Sequence, residues 1–212
     1  MTASSGTPDG DWKPRAWPTN SEAAATLRAW LADPGSTLYA LDLDFRDAGL
    51  ADANFIEAWL SGSNFADSDL SRSLLWRAHC ENTNFSAANL TEAELVKSFL
   101  TEANFTDAQM MGAKLGRAEC IRTSFAGADL RRAQIGDATF IDCDMKKTDL
   151  RGSTVTMAAF GGTDLTDAKV SGMTGSVVGS IALTTHGSKT ELDGIQLEHW
   201  LRGKGADVSV EN

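Results

Sequence analysis

Side chains able to move protons, attack carbonyls or hold metals are few in this chain. The reactive candidates are His79, His186 and His199, with Cys80, Cys120 and Cys143. None of the histidines stands at a recognisable motif spacing from a Ser or Cys nucleophile, as acyl-transfer chemistry would need. A metal centre requires convergent His or Cys pairs, yet neither CxxC nor HxxxH occurs. The phosphate-cradling patterns G-x-x-x-x-G-K and G-x-G-x-x-G are also missing. Carboxylates are plentiful but scattered, without apolar neighbours that would tune them for acid–base work. No catalytic, cofactor or metal-binding residue is therefore assigned, and a protein that works by surface contact is expected.

Composition narrows the class of contact. Acids outnumber bases 29 to 19, for a formal net charge of −10, which argues against gripping phosphate backbones directly. With 42% apolar and 23% charged residues over 212 positions, the chain can bury a sizeable core. The start, MTASSGTPDGDWKPRAW, has no basic cluster followed by an apolar run, and no eighteen-residue apolar stretch occurs. Three cysteines in a chain of this length read as reduced thiols. A cytoplasmic protein, clear of membranes, is expected.

What must position any surface site is a repeat of five. Every fifth residue from Phe45 to Val170 is apolar, 26 consecutive times without an insertion. Two positions before each stands Ala, Ser, Thr or Cys in 25 cases, Leu43 being the exception. Five matches neither the helical period of 3.6 nor the strand period of 2. One bulky and one small inward residue per five implies a chain that turns a corner every five residues. Coils would then stack at the sheet spacing of roughly 4.8 Å. Phe45, Phe65, Phe85, Phe105 and Phe125 recur at twenty, so four corners make one coil.

The form A-[DN]-[LF]-x-x, seen as AANL at 87–90, EANF at 102–105 and GADL at 127–130, resembles the pentapeptide-repeat family. The resemblance implies an all-β fold, a right-handed quadrilateral β-helix. Its 26 repeats make six and a half coils, roughly 31 Å of stack. Some members bind DNA gyrase or topoisomerase IV and protect it from inhibitors by imitating duplex DNA. Projecting loops used by some of those members are missing here, although loopless gyrase binders also belong to the family.

Open ends of such a stack need covering. Residues 1–18 read as a flexible lead, apart from Trp12 and Trp17, which are expected to pack back. Residues 19–42 hold a capping helix, with Thr19 and Glu22 as its capping box and Leu27, Trp30 and Leu31 as its apolar stripe. The solenoid occupies 43–172. Residues 173–212 form a C-terminal cap with a second short helix bearing Leu197, Trp200 and Leu201, followed by a short strand at ADVSV. Since several family members pair through this end, those three residues are also candidates for a homodimer interface.

With two residues of each five turned inward, three face water, and charge can be summed wall by wall. The wall of Phe45 carries seven acids and three bases, and the adjacent wall of Leu60 four acids and one base, together −7. Asp44, Asp47, Asp67 and Asp107 belong to the first of these. The other two walls sum to 0 and +1. Duplex DNA of 31 Å would show about 18 charges, so two walls at −7 fall short of full mimicry. A solvated acidic surface that keeps a repeat protein soluble explains the same charge.

One corner breaks the polar rule for outward slots. Ile56, Trp76 and Val96 follow each other in successive coils, Trp59, His79 and Phe99 do the same on the next wall, and Leu74 lies beside them. Trp59, His79 and Phe99 are expected to stack as a ladder. A contiguous apolar patch covers something or is covered. Three occupants are open: a terminal segment such as 1–20 or 175–190, a second copy, or a protein partner from another pathway. Cys80 and Cys120 lie two coils apart, about 9.6 Å, beyond disulfide reach.

Overall fold

The computed structural model describes residues 12–33 and 35–211. All 26 bulky clock residues are buried, as are all 25 small residues two positions before them. The repeat thus fixes the interior directly. Each segment of five ends in a tight turn. Ala48 N–H returns to Phe45 O at 3.2 Å, with Asp47 between them at φ 58°. Positive φ at the third turn residue is the mark of a type II turn. The same left-handed residue recurs every five positions from Asp42 to Gly172, so the chain bends through one corner per repeat.

Four corners close one coil, and the coils stack in parallel at a register of twenty. Asp44 pairs with Asn64, Asn64 with Asn84, and so on to Thr154 with Thr174. Phe45 N–H donates to Asn64 O at 2.7 Å, while Asn64 N–H donates back to Leu43 O at 2.8 Å. The result is a right-handed quadrilateral β-helix. Inside, Phe45, Phe65, Phe85, Phe105 and Phe125 stack face to face at 4.7–5.5 Å. Small-slot hydroxyls other than that of Ser73, and one thiol, donate to backbone carbonyls: Thr83 to Leu60 O at 2.9 Å and Cys143 to Cys120 O at 3.0 Å.

Helix α1, Ser21–Ala32, closes the N-terminal end. Its N-cap is Asn20, whose side chain accepts from Ala23 N–H at 2.9 Å, in place of the capping box expected from Thr19 and Glu22. Asn ranks above Thr as a cap, which accounts for the one-residue shift. Trp30 lies over Phe55 at 5.7 Å and plugs the first coil. Of the flexible lead expected over 1–18, residues 1–11 lie outside the described residues. Residues 12–18 are anchored: Trp12 donates to Ala51 O at 2.8 Å, Arg15 N–H to Gly49 O at 2.7 Å, and Arg28 sits over the Trp17 ring.

At the other end, short strands grow on one wall: β1 Glu119–Ile121, β2 Thr139–Ile141 and β3 Ala158–Asp164, all parallel. Strand β4, Thr174–Thr185, continues the stack on β3 and turns at His186–Gly187 into antiparallel β5, Ser188–Asp193. Helix α2, Gly194–Gly203, then crosses the open end, and β6, Asp207–Glu211, pairs with β4. Leu197 and Leu201 are buried against Leu150, Phe160, Leu165 and Met173. This corrects the dimer-interface expectation for Leu197 and Leu201. The last coil leaves its core open, and a helix laid across it gains most by turning its leucines inward. Half-buried Trp200 packs against the same core.

Candidate functional site

The apolar corner is built by the coil register. From Asp44 to Ser124, each residue one position before a clock residue pairs with its counterpart twenty positions on, so Trp59, His79 and Phe99 occupy one column. Their rings stack: Trp59 on His79 at 3.9 Å and 13°, His79 on Phe99 at 4.8 Å and 17°. Tyr39 adds a fourth ring at 6.2 Å from Trp59, and it is 64% exposed. The period of twenty could have found it, since 39 precedes 59 by one coil, but it precedes the first clock residue. Among the seven corner residues, Trp59 and Trp76 are the exposed ones, at 39% and 45%; Ile56, Leu74, His79, Val96 and Phe99 are half-buried. Trp76 donates to Glu94 at 2.6 Å, and Glu94 also holds Lys114 at 2.6 Å.

Neither described terminal segment covers this corner. The N-terminal residues run along the opposite wall through Arg15 and Ala16 to Gly49, and residues 175–190 extend the end of the sheet. Among the described residues the corner is open as a groove of about 510 Å³ lined by Trp59, His79 and Phe99 and by Glu57, Arg77, Lys97, Arg117 and Glu119. Glu57, Arg77, Lys97 and Arg117 are spaced by twenty, a regularity that the sequence reading passed over, while Glu119 continues the column of Phe99.

The acidic wall divides in two. Arg46 clamps Asp44 at 2.7 Å and holds its carboxyl below the usual carboxylate range. Asp47, Asp67 and Asp107 sit exposed at left-handed corner positions and have no ion-pair partner among the described residues. Their column carries carboxylates that are free to meet a partner.

Of the reactive side chains, Cys143 lies beside Cys120, its thiol donating to the Cys120 carbonyl at 3.0 Å. Cys80, Cys120 and Cys143 are buried free thiols. Burial pushes all three above the ordinary thiol value, Cys143 to about 11, which keeps them protonated and poor nucleophiles. His79 is locked in the ladder, with Nδ1 3.5 Å from Glu81, while His186 and His199 are exposed in the hairpin turn and on α2. Among the described residues no three His, Cys, Asp or Glu side chains are placed to hold a metal ion. None of the described helices is long and apolar enough to cross a membrane.

Coils of twenty residues, one bulky and one small side chain inward per five, and open outer walls define a β-helical solenoid. Residues 48–78, 68–107 and 108–146 match the family model described as "Pentapeptide repeats (8 copies)", and the chain belongs to the pentapeptide-repeat family. That family is generally a non-enzymatic structural or interaction fold. A trypsin-treated form of QnrB1, a plasmid-mediated fluoroquinolone resistance protein, aligns with a TM-score of 0.54 at 17% identity, covering 82% of this chain and 90% of that one. A pentapeptide repeat protein from the Arabidopsis thaliana thylakoid lumen aligns at 27% identity and a TM-score of 0.43, over 43% of this chain and 63% of that chain. HetL, involved in heterocyst differentiation regulation in the cyanobacterium Nostoc, aligns at 19% identity and a TM-score of 0.38, over 72% and 79%. The comparison with curated proteins gives no match.

Proposed function

We propose that this protein is a non-catalytic docking rod of the cytoplasm that binds a type II topoisomerase, DNA gyrase or topoisomerase IV, in the place of duplex DNA. One observation carries this reading. Residues 43–112 hold a net charge of −7, whereas residues 113–172 sum to +1. Seventy residues make three and a half coils, about 17 Å of rod, over which duplex DNA would carry about 10 charges. The N-terminal half thus approaches duplex charge density, although the whole rod does not. Asp47, Asp67 and Asp107 lie on this half, free of ion pairs among the described residues. The likeness to the resistance protein QnrB1 is one of fold, and the family contains topoisomerase binders.

The test is a gyrase supercoiling assay with and without a fluoroquinolone. The protein is expected to inhibit supercoiling or relieve drug-induced cleavage. Asp47→Lys, Asp67→Lys and Asp107→Lys together should abolish the effect without unfolding the rod, because Lys97 and Lys147 already occupy the same left-handed slot. A wild-type protein without effect in either arm removes the reading.

A further inference from the structure

The corner groove lies away from the acidic column and has a different electrostatic character. Its rings are stacked face to face at interplanar angles of 13–17°, so each hides its electron-rich faces against the next. Solvent meets ring edges, which carry the positive end of the aromatic quadrupole. One bank is cationic: Arg77, Lys97 and Arg117 stand in successive coils, roughly 4.8 Å apart. Arg77 is 3.2 Å from Glu57 and Arg117 3.4 Å from Asp137, both pairs well exposed, while Lys97 has no ion pair among the described residues. Exposed pairs of this kind are worth little and exchange readily for a better carboxylate. On the other bank, Glu81 is already occupied by Ser61 at 2.7 Å and by His79. Glu57 and Glu119 mark the two ends of the groove.

We propose that this groove is the docking site for an extended acidic peptide segment of a partner protein. Its carboxylates meet Arg77, Lys97 and Arg117, and its apolar side chains lie against the edges of Trp59, His79 and Phe99. From Arg77 to Arg117 the bank spans two coils, about 9.6 Å, the reach of about three extended residues. Two acids separated by one apolar residue therefore fit between the acidic ends. The site is distinct from the Asp47–Asp67–Asp107 column, which lies on the wall of Phe45, and has an opposite charge preference.

The test uses fluorescein-labelled octapeptides and fluorescence polarisation with the full chain. The probes alternate Glu with Leu, Lys with Leu, or Glu with Ser. The Glu–Leu peptide should bind, at least tenfold more tightly than either of the others, and weaken several-fold as salt rises from 50 to 300 mM. Lys97→Glu, at an exposed turn that cannot disturb the core, should weaken it at least tenfold. Trp59→Ala should also weaken it, while the triple substitution at Asp47, Asp67 and Asp107 should leave it unchanged. Equal or tighter binding of the Lys–Leu peptide, no binding of the Glu–Leu peptide, or an unaltered affinity in Lys97→Glu would overturn the proposal. Sedimentation as a dimer that dissociates on Trp59→Ala would do so too, by assigning the groove to a second copy.

Discussion

The imidazole of His79 lies 3.9 Å from the ring of Trp59, with the two planes 13° apart. Twenty residues separate them, so the contact reports directly on the coil. Aromatic pairs of this geometry contribute about 0.5–1.5 kcal/mol beyond area burial. His79→Ala should lower unfolding stability by about 1–2 kcal/mol, since it removes the contact with Phe99 at 4.8 Å as well. His79→Phe should restore most of that. Urea titration of the three proteins measures the difference, and a silent His79→Ala would show that the ladder contributes nothing to the fold.

Inside the solenoid the stakes are larger. Phe85 is fully buried between Phe65 at 5.5 Å and Phe105 at 4.9 Å. Phe85→Ala should cost about 3–5 kcal/mol, while Phe85→Leu, the other common clock residue, should cost less than about 1.5 kcal/mol. Thermal and urea denaturation followed by circular dichroism would rank them.

Hydroxyls in the small inward slot give a prediction of opposite sign. Thr83 donates to Leu60 O at 2.9 Å, whereas Ser73 Oγ is buried without a hydrogen-bond partner. A buried unsatisfied polar atom costs about 1–3 kcal/mol. Ser73→Ala should therefore stabilise the protein by roughly 1 kcal/mol, and Thr83→Val should destabilise it by a similar amount. Denaturation midpoints that fall in both variants would contradict this.

Backbone conformation separates two positions in the same way. Ala87 is held at φ 56°, where an L-residue is strained, and Ala87→Gly should raise the melting temperature by a few degrees. Gly179, at φ 93°, has no such freedom, because a Cβ there would run into the carbonyl of Phe160. Gly179→Ala should open the β3–β4 junction and lower the melting temperature.

Acid sensitivity follows from the clamped carboxylates. Arg131 donates to Asp129 and Arg151 to Asp149, each at 2.6 Å, and both carboxyls lie below the usual range because of those bonds. A depressed carboxylate adds stability above its unfolded pKa, about 3.9, and that stability is lost as pH falls through the folded value. Stability should thus be flat from neutrality to about pH 4 and decline below it. The double variant Arg131→Ala, Arg151→Ala should decline less steeply in a melting-temperature series from pH 6 to pH 2.

The solenoid was legible because its rule is local. A bulky and a small residue recur every five positions, and the period of twenty in the phenylalanines gives the coil. The Trp59–His79–Phe99 stack followed from the same arithmetic. Where the clock stops, legibility stops. After Val170 the hairpin of β4 and β5 carries no five-residue signature, and its placement depends on pairing with β3. Leu197 and Leu201 read as a cap with an interface as the rival, because one apolar stripe serves either purpose until the open end it meets is known. The cationic bank follows from the same period of twenty and was passed over, whereas the clamping of Asp44 by Arg46 rests on rotamers that choose among several neighbours, which residue types alone do not decide.

Both proposed surfaces depend on columns of residues twenty apart. Spin labels attached at cysteines replacing Asp67 and Asp167 test that dependence directly, since both positions are exposed and the native thiols are buried. Five coils separate them on one edge, so double electron–electron resonance should give a narrow distribution centred near 24 Å. A broad distribution, or a separation that does not shorten to about 19 Å for labels at 67 and 147, would contradict the coil and dissolve both surfaces.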